Sequence, residues 1–206
     1  MDGLTYRDDI HEYRYRDAVV PSVTQVLAPL SAIEYRGVDA AVLERAATLG
    51  KAVHKLIELD LRNDLDVDSL GDELQPYYTA WRSFLAASGF VCKLSECRVF
   101  SKRYHYAGTL DLFGTLNAEA ALIDAKRTAA VPRIAGPQTA AYECALRESH
   151  PDIVSQCASG PGEGRIDRYA LHFTSDAKWR LVPFREKRDL RVFLSCQTIH
   201  EWSNDQ

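Results

Sequence analysis

The apolar run Ala120-Ala121-Leu122-Ile123 ends in Asp124, Ala125 and Lys126. A strand inside a sheet disfavours both charges unless each finds a partner. Alternation along the strand sends Ala125 to one face and sets Asp124 beside Lys126 on the other. The two strands read upstream each carry one acid among apolar neighbours, Glu96 in "FVCKLSECRVF" and Asp111 in "YAGTLDLFGTL". Carboxylates gathered from three strands repel one another unless a cation holds them, and oxygen ligands suit magnesium or manganese. Metal ions between carboxylates activate water and neutralise developing charge, and a neighbouring lysine adds a positive point charge. That is the equipment of phosphodiester hydrolysis.

Spacing by itself does not establish this chemistry. The same triplet recurs as Asp176-Ala177-Lys178 in the polar turn "TSDAK". Only the first copy continues an apolar strand that neighbours another acid-bearing strand. His54, in "GKAVHKLIE", lies on a helical pattern with Glu58 one turn later. A histidine among apolar helix neighbours can be structural or a ligand, and both readings stay open on spacing alone.

The elements that must position these residues follow from periodicity. "HEYRYRDAVVPSV" reads as a short hairpin, and Ser22 as the cap of a short helix, "SVTQVLAPL". From Asp39 to about Leu61, Val42, Leu49, Val53, Leu56 and Ile57 recur at helical spacings and mark an inward face. The acidic "RNDLDVDSLGDE" is a solvated connection to a second helix, "LQPYYTAWRSFLAASG", which Gly89 ends. Three strands then precede a helix, "PQTAAYECALRE", and two more strands, "RYALHF" and "WRLVPF". A final helix runs from Glu186 to about Trp202. "GPGEG" lacks the Lys-Ser/Thr of a phosphate loop and precedes a strand, so it reads as a loop connection. The expectation is one mixed α/β domain over residues 1–206, with 1–38 an N-terminal hairpin and short helix and 39–206 the core.

Composition narrows the class. At 206 residues, with 46% hydrophobic and 26% charged residues, the chain has the make-up of an ordinary globular protein. No membrane-length apolar stretch occurs and the N-terminus is acidic, which gives a cytoplasmic expectation. Five cysteines without a Cys-x-x-Cys pair argue for free thiols over disulfides or a zinc knuckle. The net charge is −4, yet residues 98–147 hold seven Lys/Arg against four Asp/Glu, a basic middle that suits a localised anion site. The segment "SKRYH", with Lys102, Arg103, Tyr104 and then Tyr106, reads either as a contact to nucleic-acid backbone and bases or as an exposed turn.

Taken in order, Gly50-x-x-x-His54, Glu96, Gly108-Thr-Leu-Asp111, Asp124-x-Lys126 and Gln138-x-x-x-Tyr142 resemble the RecB-like branch of the PD-(D/E)XK nucleases. "VPSVTQVL" near the N-terminus resembles the opening of phage and mitochondrial exonucleases of that branch. Leu110 stands where the superfamily name has proline, as is usual in the branch. Cys144, Cys157 and Cys196 are too far apart for the four-cysteine iron–sulfur set of some relatives, so no iron–sulfur cluster is expected.

The resemblance implies a restriction-endonuclease-like αβββαβ core and one or two Mg2+ or Mn2+ ions. It implies ligation by His54, Asp111, Asp124 and the Ala125 carbonyl, with Glu96 assisting. Lys126 would orient or deprotonate the attacking water and stabilise charge on the phosphate; Gln138 and Tyr142 would brace the lysine or the DNA. Implied in turn is an exonuclease acting on DNA ends in recombination, repair or phage DNA processing, in a bacterial cytoplasm. A recombination or single-strand-binding protein partner and a homo-oligomer are compatible with the branch. The alternatives are a structure-specific endonuclease and an inactive DNA-binding or assembly module on the same fold.

Overall fold

Alternating polar and aromatic residues fold the N-terminal segment into a small antiparallel sheet of β1 (Leu4–Arg7), β2 (Glu12–Tyr15) and β3 (Ala18–Val20). The computed structural model describes residues 3–158 and 164–204. The expected hairpin is therefore one strand short. Leu4 pairs with Tyr15, and Tyr6 stacks on Tyr13 with ring centroids 4.5 Å apart, which adds β1 to the pair.

Ser22 then starts α1 (Val23–Val26) through a reciprocal cap: its hydroxyl accepts from the Gln25 amide, and the Gln25 side chain takes the Ser22 amide. After α2 (Ala28–Glu34), the Asp39 carboxylate accepts the Ala41 amide at 2.8 Å and opens α3 (Ala40–Leu61). Val53, Leu56 and Ile57 are buried as the spacing predicts, whereas Val42 is 59% exposed and Leu49 only half-buried. In the N-terminal turns of α3 the stripe through Val42 faces solvent, and Leu43, Ala46 and Ala47 line an open cavity. Pro76 sits in the first turn of α4 (Gln75–Ser88), and Gly89, at φ 66°, ends it in the left-handed region.

The central sheet comprises β4 (Phe90–Ser101), β5 (Tyr106–Leu116) and β6 (Glu119–Lys126), all antiparallel neighbours. The chain crosses over through α5 (Ala135–Ser149) and α6 (Pro151–Cys157) to β7 (Asp167–Phe173), which lies parallel to β6. An antiparallel β8 (Trp179–Phe184) completes the order β4-β5-β6-β7-β8, and α7 (Asp189–Asn204) follows. Helix, three strands, helix and parallel strand give the αβββαβ order of a restriction-endonuclease-like core. Helix α6 goes beyond the periodicity reading; Pro151 at its first turn restarts the helix after α5. Helix α7 begins at Asp189 and not Glu186, with Asp189 tied to Arg168 of β7 at 3.1 Å. The "GPGEG" connection falls largely on residues 159–163, outside the described residues.

Helices cover both faces of this sheet. Val23, Val26, Leu110, Phe113, Leu122, Leu146 and Phe193 form one core between the sheet and α1, α5 and α7. Leu56, Trp81, Phe84, Leu112, Ile123, Leu171 and Phe173 form the other under α3 and α4. Strand β6 feeds both, Leu122 to the first and Ile123 and Ala125 to the second, so α3 is packed directly over the end of β6. No helix among the described residues is long and apolar enough to cross a membrane.

Candidate active site

Strands β5 and β6 pair from Leu116↔Glu119 to Leu112↔Ile123 and then part, while β6 stays paired with β7 through Lys126↔His172. Asp111 sits one residue beyond the last β5–β6 pair. Its Oδ2 accepts the Ala125 amide at 2.7 Å, so a side chain replaces the missing ladder partner. The cleft opened by this parting is where the acids meet.

Glu96 reaches the same place from β4, where its neighbours Ser95 and Cys97 pair with Leu112 and Leu110 and so set it opposite Asp111. Its backbone is left-handed, at φ 46° within a strand, a conformation uncommon for any residue with a side chain. From α3, His54 places Nδ1 at 3.3 Å from Glu96 Oε1 and 3.4 Å from Asp111 Oδ1. Its Nε2 lies 3.2 Å from the Ala125 carbonyl. One atom each from His54, Glu96 and Asp111 lie within 4.8 Å of one another.

The charges respond to this crowding. Burial alone would lower the His54 pKa, but Asp111 and Glu96 outweigh it and hold the imidazole well above its ordinary value. Both ring N–H groups then have acceptors, the carboxylates on one side and the Ala125 carbonyl on the other. Burial works to raise Asp111, yet His54 and Lys126 keep its carboxyl below the usual range. Burial pushes Asp124 up to about 6 against the pull of Lys126, and the charge of Asp111 adds to the rise. For Lys126 the burial penalty is exceeded by Asp124 and Asp111, which raise it and keep it an ammonium.

Asp124, 1% exposed, does not join the close set of His54, Glu96 and Asp111. Its carboxylate turns to Lys126, with Nζ 2.7 Å from Oδ2. That contact is a close ion pair, and Oδ1 has no hydrogen-bond partner among the described residues. Lys126 Nζ donates to Gln138 Oε1 at 3.3 Å, and Gln138 Nε2 donates to the Tyr142 hydroxyl at 3.3 Å. Gln138 and Tyr142 lie one turn apart on α5, facing the site as their spacing suggests. Gly108 is required there: a Cβ at that position would stand 2.6 Å from Tyr142 Cε1 and 3.2 Å from Val23 Cγ2.

A cavity of about 640 Å³ opens over these groups, lined among others by His54, Glu96, Lys126 and Gln138. Sequence reasoning missed Tyr35, Lys51, Lys55 and Arg127, which line it too. Tyr35 follows α2 directly and interacts electrostatically with Lys126 and Asp124. Nothing local in "AIEYRG" marks it, because only the packing of α2 brings it to the end of β6. Arg127 was legible as the base after Lys126.

The turn Lys102–Tyr104 goes elsewhere. Its Arg103 amide donates to Glu148, and the Tyr104 carbonyl accepts from Gln197 of α7. Arg103 and Tyr104 line a separate depression against α7. Tyr106 is fully buried and donates its hydroxyl to the Ala141 carbonyl at 2.8 Å, so it is a core residue and not a base contact. Asp176 and Lys178 pair with each other at the surface, 57% and 77% exposed. All five cysteines are free thiols.

No family model and no curated protein matches the chain. Among solved structures, an alkaline exonuclease from Laribacter hongkongensis is similar at 12% identity, over 88% of this chain and 86% of that one, with a TM-score of 0.35.

Proposed function

We propose that this chain is a divalent-metal-dependent DNA nuclease that hydrolyses phosphodiester bonds, acting as an exonuclease on DNA ends. One observation carries the reading: His54, Glu96 and Asp111 converge within 4.8 Å where β5 and β6 part, beside the ion pair of buried Asp124 with half-buried Lys126. The imidazole nitrogen and the two carboxylate oxygens form a donor set suited to a divalent cation. The unpartnered Asp124 Oδ1 offers a further buried oxygen, and the Ala125 carbonyl lies beside His54.

His54, Glu96, Asp111 and Asp124 would hold magnesium or manganese. When bound, the ion supplies an activated water and neutralises charge on the phosphate. Lys126 places its positive charge where negative charge builds during attack. Gln138 fixes the direction of the lysine, and Tyr142 fixes Gln138. Lys51, Lys55 and Arg127 at the cavity wall offset the repulsion between DNA phosphates and the acids.

The test is digestion of end-labelled linear DNA and covalently closed circles with magnesium, manganese or EDTA. Linear DNA is expected to be degraded in either metal, spared in EDTA, and preferred over circles. Undiminished cleavage in excess EDTA would remove the metal mechanism, and rapid linearisation of circles would make the enzyme an endonuclease. Metal-independent binding without any cleavage would leave a DNA-binding module.

A further inference from the structure

A second cavity, about 1450 Å³, adjoins the first and shares Lys51, Lys55, Glu58 and Glu96 with it. Its two walls differ in chemistry. On one side, Lys51, Lys55 and Glu58 follow one stripe of α3 at helical spacing, Arg62 follows as its C-cap, and β4 adds Lys93 and Arg98. Glu58 holds Lys55 at 2.9 Å and Arg62 at 2.6 Å, which lays both cations along that wall. Lys93 is the extra residue where the β4–β5 register shifts between Cys92 and Leu94, and it is exposed.

The other wall is the N-terminal sheet and its turn. Tyr6 and His11 meet edge-to-face at 5.5 Å, with the Tyr6 hydroxyl 2.6 Å from His11 Nδ1, so the rings are set in place. Arg98 reaches across, its guanidinium 5.0 Å over the Tyr6 ring. Ile10, at 54% exposure, is an apolar side chain left open beside them. Asp8 and Asp9, the latter paired with Arg7 at 3.0 Å, complete this side, so it carries aromatic and apolar surface with the charge of Asp8 left on it.

We propose that this cleft conducts single-stranded DNA to the acidic cluster, phosphates along α3 and β4 and bases against His11 and Ile10, with Tyr6 holding the His11 ring in place. The proposal rests on the nuclease reading and names its substrate form. A duplex presents phosphates on both flanks, and one flank would meet Asp8 and an aromatic and apolar wall in place of cations. A single strand has one charged edge and one row of stacking faces, which is the polarity of these walls. The strand then passes Glu96, the residue common to both cavities and to the acidic cluster.

Fluorescence anisotropy on the full chain in EDTA tests this, with labelled oligothymidylate and a blunt duplex of equal length. The single strand is expected to bind at least about tenfold more tightly. His11→Ala should weaken single-strand binding at least about fivefold. Lys51→Gln combined with Lys93→Gln should reduce the salt slope by about 1.4, some 0.7 for each phosphate left without its lysine. His11, Lys51 and Lys93 are exposed, so their replacement opens no cavity. Equal affinity for duplex and single strand, or single-strand affinity unmoved by the His11 and lysine changes, overturns the proposal. Metal-dependent cleavage by a chain lacking this binding pattern removes the path and keeps the nuclease. Selective, substitution-sensitive binding by a chain that never cleaves does the reverse.

Discussion

The Ala125 amide donates to Asp111 Oδ2 at 2.7 Å across the point where β5 and β6 cease to pair. One carboxylate thereby does two jobs, closing a broken sheet ladder with Oδ2 and facing His54 with Oδ1. The jobs separate on substitution. Asp111→Asn retains an acceptor for the amide, while Asp111→Ala leaves it unpaired at a cost of about 1–3 kcal/mol. Thermal melts should rank wild type and Asn above Ala, whereas manganese titration should find both variants defective. Equal melting temperatures for the two variants would mean that the amide finds another partner.

His54 should be a metal ligand and dispensable for folding. Its side chain is 29% exposed on α3, so His54→Ala opens no sealed cavity. Calorimetry should show weakened manganese binding by a folded variant, and unchanged affinity would return His54 to a structural role.

Manganese affinity should depend on pH with a defined sign. Asp111 and Glu96 raise the His54 pKa despite its burial, so the metal-free site grips a proton more tightly than free imidazole does. The metal competes with that proton, and affinity falls as pH drops through the raised value and recovers above it. Titrations from about pH 6 to about pH 9 bracket ordinary histidine behaviour. Affinity that is flat, or tighter at low pH, contradicts the assignment.

Gly108→Ala should damage the site from behind. The added methyl would overlap Tyr142 at 2.6 Å, and overpacking of this kind costs about 1–3 kcal/mol. Because Tyr142 positions Gln138, and Gln138 positions Lys126, turnover should fall together with stability. A variant with lowered stability and unchanged turnover would show that the Tyr142–Gln138 chain does not orient the lysine.

Much of this arrangement is legible locally. Asp39, Ser22 and Gly89 set helix ends through their own backbone chemistry, and the acids of β4, β5 and β6 stand out against apolar neighbours. Alternation alone places Asp124 beside Lys126. Contacts across the fold are different. Tyr35 comes to Lys126 only because α2 packs near the end of β6, and Lys102–Tyr104 turns away because Gln197 of α7 and Glu148 of α5 hold that loop. An exposed basic turn looks the same in sequence whichever face it meets. Val42 shows the complementary limit: it keeps the helical spacing yet is 59% exposed, because spacing marks a face without saying whether anything packs on it.

The central claim is that location, and not the Asp-Ala-Lys spacing, makes the chemistry, and the chain carries its own control. Lys126 is half-buried, paired with buried Asp124 and braced by Gln138, whereas Lys178 pairs with Asp176 in solvent. Initial rates of manganese-dependent cleavage of end-labelled linear DNA should be compared for Lys126→Ala and Lys178→Ala, each verified as folded by circular dichroism. The account predicts a loss of about 10²-fold or more for Lys126→Ala, a charge removed from where the transition state needs it. It predicts a rate within a fewfold of the parent for Lys178→Ala. Comparable rates for the two variants would contradict it.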